Sequence, residues 1–161
     1  AACDRFAGLS RTGASRELRG PTGGRNVYTL LPRQAVLCLA SDDADRLAQL
    51  AAVLSVGSQA VWPGEARAQR DTLPREVAEH IVLTPDWMAA QPAFDAVLLH
   101  GAKAALSEVN AKLARRDGPI VGVQRLAAGD TDIALERLLI ERALSVNTAA
   151  AGGNASLMTI G

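Results

Sequence analysis

AVLCLASDDADRLAQLAAVLSVGSQAVWPGE, residues 35–65, decides how this chain folds. Ala35 to Ala40 is an uninterrupted apolar run, the pattern of a strand buried on both faces of a parallel sheet. A helix is predicted from about Asp42 to Val56, capped by Ser41, with Leu47, Leu50, Ala51 and Leu54 at helical spacing and Gly57 just past its end. Gln59 to Trp62 returns as a second strand and stops at Pro63-Gly64.

Downstream the alternation continues. A helical stretch over Glu65 to Asp71 is interrupted near Pro74, and His80 to Leu83 forms the next strand. Thr84-Pro85-Asp86 opens a short helix or turn through Ala90, and Phe94 to Leu99 is again a strand. Ala102, Ala105, Leu106, Val109 and Leu113 mark the buried stripe of a helix whose dipole suits Arg115 and Arg116 at its end, before Gly118-Pro119. Ile120 to Gln124 is the fifth strand, Arg125 to Asp132 a loop, and Ile133 to Leu138 a helical turn. Strands and helices at this spacing predict an α/β fold, a Rossmann-like doubly wound parallel sheet with right-handed crossovers. Upstream, residues 1–34 read as a linker, with weak periodicity to Gly24, a turn at Pro21, Gly23 and Gly24, and a short extended piece from Asn26 to Leu31.

The closing stretch ERALSVNTAAAGGNASLMTIG, residues 141–161, carries no charge after Arg142 and no aromatic. A solvated tail is rich in charge and poor in apolar surface, so this one is predicted to dock. From Ile140 to Thr148 the residues alternate as a strand with one buried face: Ile140, Leu144 and Val146 point one way, Glu141, Ser145 and Asn147 the other, and Arg142 breaks the pattern. Ala149 to Gly153 permit close backbone approach, and Gly152-Gly153-Asn154 suits a turn with positive φ. Either the strand folds onto its own domain, or the tail reaches another domain or subunit. The predicted docking residues are Leu144, Val146, Asn147, Gly152, Gly153, Asn154, Leu157, Met158 and Ile160.

Composition excludes several classes. Seventeen basic residues balance seventeen acidic ones with no long block of either sign, and aromatics are only 3%, so neither the footprint nor the stacking platform of a nucleic-acid binder is present. Cys3 and Cys38 stand far apart, without a CxxC motif or a disulfide framework, which fits a reducing cytoplasm. No apolar run reaches the length of a membrane span. The chain starts at Ala1 rather than methionine, as a processed or truncated piece of something longer would.

In such a fold ligands bind at the carboxyl ends of the strands. After the first strand, however, stand Ser41, Asp42, Asp43 and Asp45, whose carboxylates satisfy the helix dipole and repel a phosphate. His100-Gly101-Ala102-Lys103, at the start of a helix, is the remaining candidate for anion binding, against the plainer reading of a polar turn. A receiver-domain reading of SDDADRLAQLAAVL and FDAVLLHG fails at its nucleophile, because His100 stands where the phosphoacceptor aspartate would. Neither His80 nor His100 has a neighbouring group that would define a triad or a metal site, and His80 reads as structural.

GPTGGRNVYTLLPR, residues 20–33, and the closing stretch resemble the carboxy-terminal region of the long bifunctional proline utilization A proteins, over about Gly20 to Gly161. That family joins a flavin-dependent proline dehydrogenase to an NAD-dependent L-glutamate γ-semialdehyde dehydrogenase. The resemblance implies that residues 35–132 form a degenerate aldehyde-dehydrogenase-like nucleotide-binding domain and residues 133–161 a flap and docking tail. It further implies that flap and tail help cover the passage through which the intermediate travels, with the upstream dehydrogenase domains, of the same chain or of a second subunit, as partners. FAD and NAD would belong to the parent, which is cytoplasmic with possible peripheral membrane association, and no cofactor to this region. Departures from the active pattern agree. LAAVLSVGSQAVWPGE, residues 50–65, resembles the segment in which a lysine before a proline holds the cofactor ribose, but Trp62 precedes Pro63. LLHGAKAAL, residues 98–106, lacks a hydroxyl after Gly101, and Gln124 stands in the strand region leading to the family's catalytic glutamate. The rival readings are an independent NAD-binding dehydrogenase domain and a small flavodoxin-like regulatory domain.

Overall fold

The computed structural model describes residues 2–19 and 24–147. Its centre is β3 (Ala35–Leu39), flanked by β4 (Gln59–Pro63) and β6 (Ala96–His100) in a parallel five-stranded sheet of order β5-β4-β3-β6-β7, where β5 is Ile81–Thr84 and β7 is Gly122–Leu126. Period-two alternation explains why every side chain of β3 is apolar. Val36 and Cys38 enter one core with Ala60, Trp62 and Leu98, while Ala35 and Leu37 enter a second with Val61, Val97 and Leu99.

Helix α2 (Asp43–Val56) covers the first core with Leu50, Ala51, Ala52, Val53 and Val56. Burial of its larger side chains stabilises the fold by roughly 1.5–3 kcal/mol each. Its cap is Asp42 rather than the expected Ser41: the Asp42 carboxylate accepts the N–H groups of Ala44 at 2.8 Å and Asp45 at 3.3 Å. Gly57 ends the helix at φ +85°, and its N–H bonds to Leu54 O, so a side chain there would meet left-handed strain of about 1–2 kcal/mol. Leu47, expected in the buried stripe, is exposed. Short helices α3 (Arg67–Arg70) and α4 (Arg75–Ala78) lead to β5.

On the opposite face, α5 (Lys103–Leu113) buries only Val109 fully; Ala105, Leu106 and Leu113 are half-buried and Ala102 is exposed. Arg116 serves less as a dipole partner than as a clamp. It donates to the carbonyls of Ala89, Ala90 and Pro92 and lies 4.3 Å over the Phe94 ring. The last parallel strand starts two residues later than expected, because Ile120 is fully solvent-exposed beyond Gly118 (φ +122°) and the buried anchor is Leu126.

Residues read as a linker carry structure. Helix α1 (Ala2–Leu9) plugs Phe6, 1% exposed, into the first core. Strand β1 (Ser15–Arg19) pairs antiparallel with β2 (Gly24–Pro32), which pairs antiparallel with β8 (Leu139–Asn147) in a separate sheet, the flap. Of the expected turn, Gly24 begins β2, and Pro21 and Gly23 lie outside the described residues. A 3-10 turn, Leu135–Leu138, replaces the expected helical turn before β8.

Candidate functional site

Two places merit a functional reading, the crevice above the parallel strands and the flap. The crevice lies where β3, β4 and β6 end, a cleft of about 380 Å³ bordered by Ala40, Ser41, Pro63, Glu65, His100 and Gly101. This is the usual ligand position in such sheets. Its floor is closed by the protein's own side chains. His100 is buried, with Nδ1 2.8 Å from the Gln49 amide nitrogen and Nε2 2.7 Å from the Asp130 carbonyl. The carbonyl can only accept, so Nε2 carries the proton; Gln49 Nε2 also donates to Leu39 O at 3.0 Å, so Nδ1 is the acceptor. Asp45, also buried, accepts the Gly129 N–H at 2.9 Å and lies 3.8 Å from His100 Nε2. Together these groups pin the loop after β7 to α2.

The candidate anion site at His100 to Lys103 therefore does not assemble. Its histidine is consumed, the Gly101 N–H donates to Leu126 O at 3.0 Å, and Lys103 stands in solvent. Of the three carboxylates read as dipole partners, Asp42 caps α2, Asp45 turns inward to Gly129, and Asp43 binds Arg46 Nη1 at 2.9 Å.

Arg46 is buried and reaches Gln69 Oε1 at 2.6 Å and the Ala40 carbonyl, with its guanidinium 5.7 Å from the Trp62 ring. Trp62 is fully buried in the first core. The position just before Pro63 is thus a core position supporting a tethered arginine, not a handle pointing at solvent. Gly64 takes the chain tightly past β5, since a Cβ there would stand 3.3 Å from Thr84 O. Cys38 offers no nucleophile. Burial pushes its thiol up to about 12, and the opposing pull of the Trp62 indole and then Arg46 is too weak to offset it. His80 is exposed in the turn before β5, its carbonyl accepting the Ala60 N–H at 3.0 Å. Among the described residues no group of His, Cys, Asp and Glu could hold a metal ion, and no helix is long and apolar enough to cross a membrane.

The flap is amphipathic. In its register Val27 opposes Leu144, Arg25 opposes Val146 and Leu31 opposes Ile140, so these residues share one face. On the other face Ser145 Oγ donates to Asn26 Oδ1 at 2.6 Å, and the Tyr28 hydroxyl bonds the Glu141 carboxylate. That hydrogen bond, followed by local desolvation and the carboxylate's charge, raises the Tyr28 hydroxyl above its usual pKa. The predicted alternation is present, yet among the described residues the apolar face is not the covered one: Ile140 is 40%, Leu144 52% and Val146 43% exposed. On the opposite face, Leu139 at the base enters the core and Leu30 packs against it. Periodicity revealed the two faces; it could not say which of them the parallel domain covers. Asn147, opposite Gly24, is the last described residue, and Gly152, Gly153, Asn154, Leu157, Met158 and Ile160 lie outside the described residues.

Sheet order, crevice and flap define a class of α/β domain with the architecture of aldehyde dehydrogenases. Betaine aldehyde dehydrogenase of Staphylococcus aureus, solved with NAD+, superposes with a TM-score of 0.58 at 14% identity, over 78% of this chain and 28% of that one. A Bradyrhizobium japonicum proline utilization A structure superposes at 0.56 with 22% identity, over 80% and 15%. At these identities the likeness is one of fold. No family model matches the chain. Sequence narrows the class: the chain is 55% identical to the bifunctional protein PutA of Escherichia coli over its whole length and 36% identical to that of Rhizobium meliloti over 94% of it. By descent it belongs with a segment of the bifunctional PutA proteins, and it spans only about an eighth of them, 12% of the Escherichia coli protein.

Proposed function

We propose that this chain is a non-catalytic domain of a bifunctional proline-oxidising enzyme and works as a docking and covering element. The observation that carries the reading is the uncovered apolar face of the flap, Ile140, Leu144 and Val146 at 40–52% exposure, leading directly into the uncharged stretch that ends in Leu157, Met158 and Ile160. The natural cover is another domain of the same protein, of the same chain or of a second subunit, with the strand augmenting a neighbouring sheet and the tail lying in a groove. Burying Leu157, Met158 and Ile160 would contribute roughly 1.5–3 kcal/mol each before ordering costs. There the flap and tail help to close the passage by which L-glutamate γ-semialdehyde, or its cyclic form, moves between a flavin-dependent and an NAD-dependent active site.

Support comes also from what the crevice has become. A lysine position turned into core and a histidine tied to Gln49 and Asp130 suit a domain retained for its shape. FAD and NAD then belong to the rest of the protein, and the cytoplasm is its compartment. The test is removal of residues 147–161 from the intact enzyme. Coupled conversion of proline to glutamate should fall while isolated proline oxidation is nearly unaffected; unchanged coupled conversion would remove the covering role.

A further inference from the structure

Both flap strands that join the parallel domain do so at one point. Between β2 and β3 stand only Arg33 and Gln34, and β8 follows directly on the Leu135–Leu138 turn. Arg33 sits at the crossing and touches every segment that meets there. Its N–H donates to Leu138 O at 3.0 Å, its Nε to Arg137 O at 3.0 Å and its Nη1 to Asp95 O at 2.9 Å, with the Asp95 carboxylate 3.9 Å away. Its own carbonyl accepts the Ser58 hydroxyl at 2.7 Å. One guanidinium therefore bridges the turn that launches β8 and the start of β6, while its backbone ties β2 to the start of β4. Nearby, the Gln124 amide brackets Ala134, accepting its N–H at 2.7 Å and donating to its carbonyl at 3.2 Å. Elsewhere α1 and the loop after it are tied to the parallel domain through Phe6 in the first core, Arg5 to Asp132 at 3.2 Å, and Thr12 Oγ1 to Val56 O at 2.9 Å.

We infer that Arg33 is a positioning residue: its guanidinium sets the angle of the flap on the parallel domain, so that Ile140, Leu144 and Val146 are presented to their cover in one orientation. This rests on the docking reading above. The planar fork is what the geometry uses, because donors fixed on one plane reach Arg137 O and Asp95 O together. A lysine keeps the charge, but its three donors radiate from one nitrogen on a flexible stem and cannot reproduce the rigid planar fork.

The test is Arg33→Lys, made in the full chain and in the intact enzyme. Spin labels at Ser107→Cys on α5 and Ala143→Cys on β8, with Cys3→Ser and Cys38 left buried, report the flap angle without reference to activity. The parent should give one narrow distance. Arg33→Lys should broaden it at least about twofold, leave amide protection of β3, β4 and β6 unchanged, and lower coupled flux several-fold. An equally narrow distance in Arg33→Lys overturns the inference, and so does general loss of sheet protection, which would make Arg33 a residue of the fold alone. Leu144→Ser with Val146→Ser separates the two readings. If that pair leaves coupled flux unchanged the docking reading fails, while the distance measurement still decides the role of Arg33.

Discussion

Replacing Trp62 by lysine restores the residue type that holds the cofactor ribose in the aldehyde dehydrogenase segment this region resembles, and the structure predicts that the change destroys rather than repairs. Trp62 is 0% exposed and lies among Val36, Cys38 and Ala60. Truncating it to alanine removes the whole indole from a packed core, a loss of about 3–5 kcal/mol. The guanidinium of Arg46, 5.7 Å from the ring, loses its aromatic neighbour as well. For a chain of this length each kcal/mol moves Tm by about 2–4 °C, so Trp62→Ala should melt roughly 6–20 °C below the parent. Trp62→Lys keeps part of the apolar stem but places an ammonium in a dry core beside Arg46, and should be less stable than alanine. Urea unfolding followed by circular dichroism gives the order parent, alanine, lysine; calorimetric titration with NAD at a temperature where each variant is folded gives no binding. A Trp62→Lys chain as stable as the parent that takes up NAD would refute the claim that this position has become core.

Cys38 should be silent toward a thiol reagent at pH 8 in a Cys3→Ser chain and react only once denaturant is added, because burial holds its thiol at about 12; rapid labelling of the folded chain would contradict that burial. The chain has one tyrosine, so its ultraviolet titration is unambiguous. The Tyr28 midpoint should lie above 10.0, and Glu141→Gln should bring it back toward that value. Since the folded value is the raised one, whatever stability this bond contributes is fully present below pH 10.0 and is lost as pH rises through the folded midpoint. A midpoint unmoved by Glu141→Gln would mean the bond is absent in solution.

The parallel sheet was legible because its strands are buried on both faces and its helices begin and end on residues with one job. Ala35 to Leu39 and the end of α2 at Gly57 follow from those signals, while the cap falls one residue later than expected, on Asp42. Where the chain relies on distant contacts, local pattern failed. Helix α1 has eight residues, too few to persist alone, and is held by contacts with distant residues, Phe6 in the first core and Arg5 on Thr131 and Asp132. Strand β1, SRELR, shows no apolar alternation and exists because β2 pairs with it. Ile120 attracted a strand reading through its side chain although it points into water. The plugged crevice joins Asp45 and Gln49 to His100, Gly129 and Asp130 from the far end of the sequence. A signal was present nonetheless: Asp45 and Gln49, four apart, place two polar groups on the same side of α2, where an inner face requires partners.

The central claim is that the flap and the stretch after it are covered by another part of the protein. Amide hydrogen exchange over residues 140–161 tests it most directly, comparing the isolated chain with the same chain mixed with the dehydrogenase domains. Protection gained only in the mixture, strongest from Leu144 onward, is the predicted result. Full protection of the same amides in the isolated chain would contradict it, and would mean that the closing stretch completes its own domain.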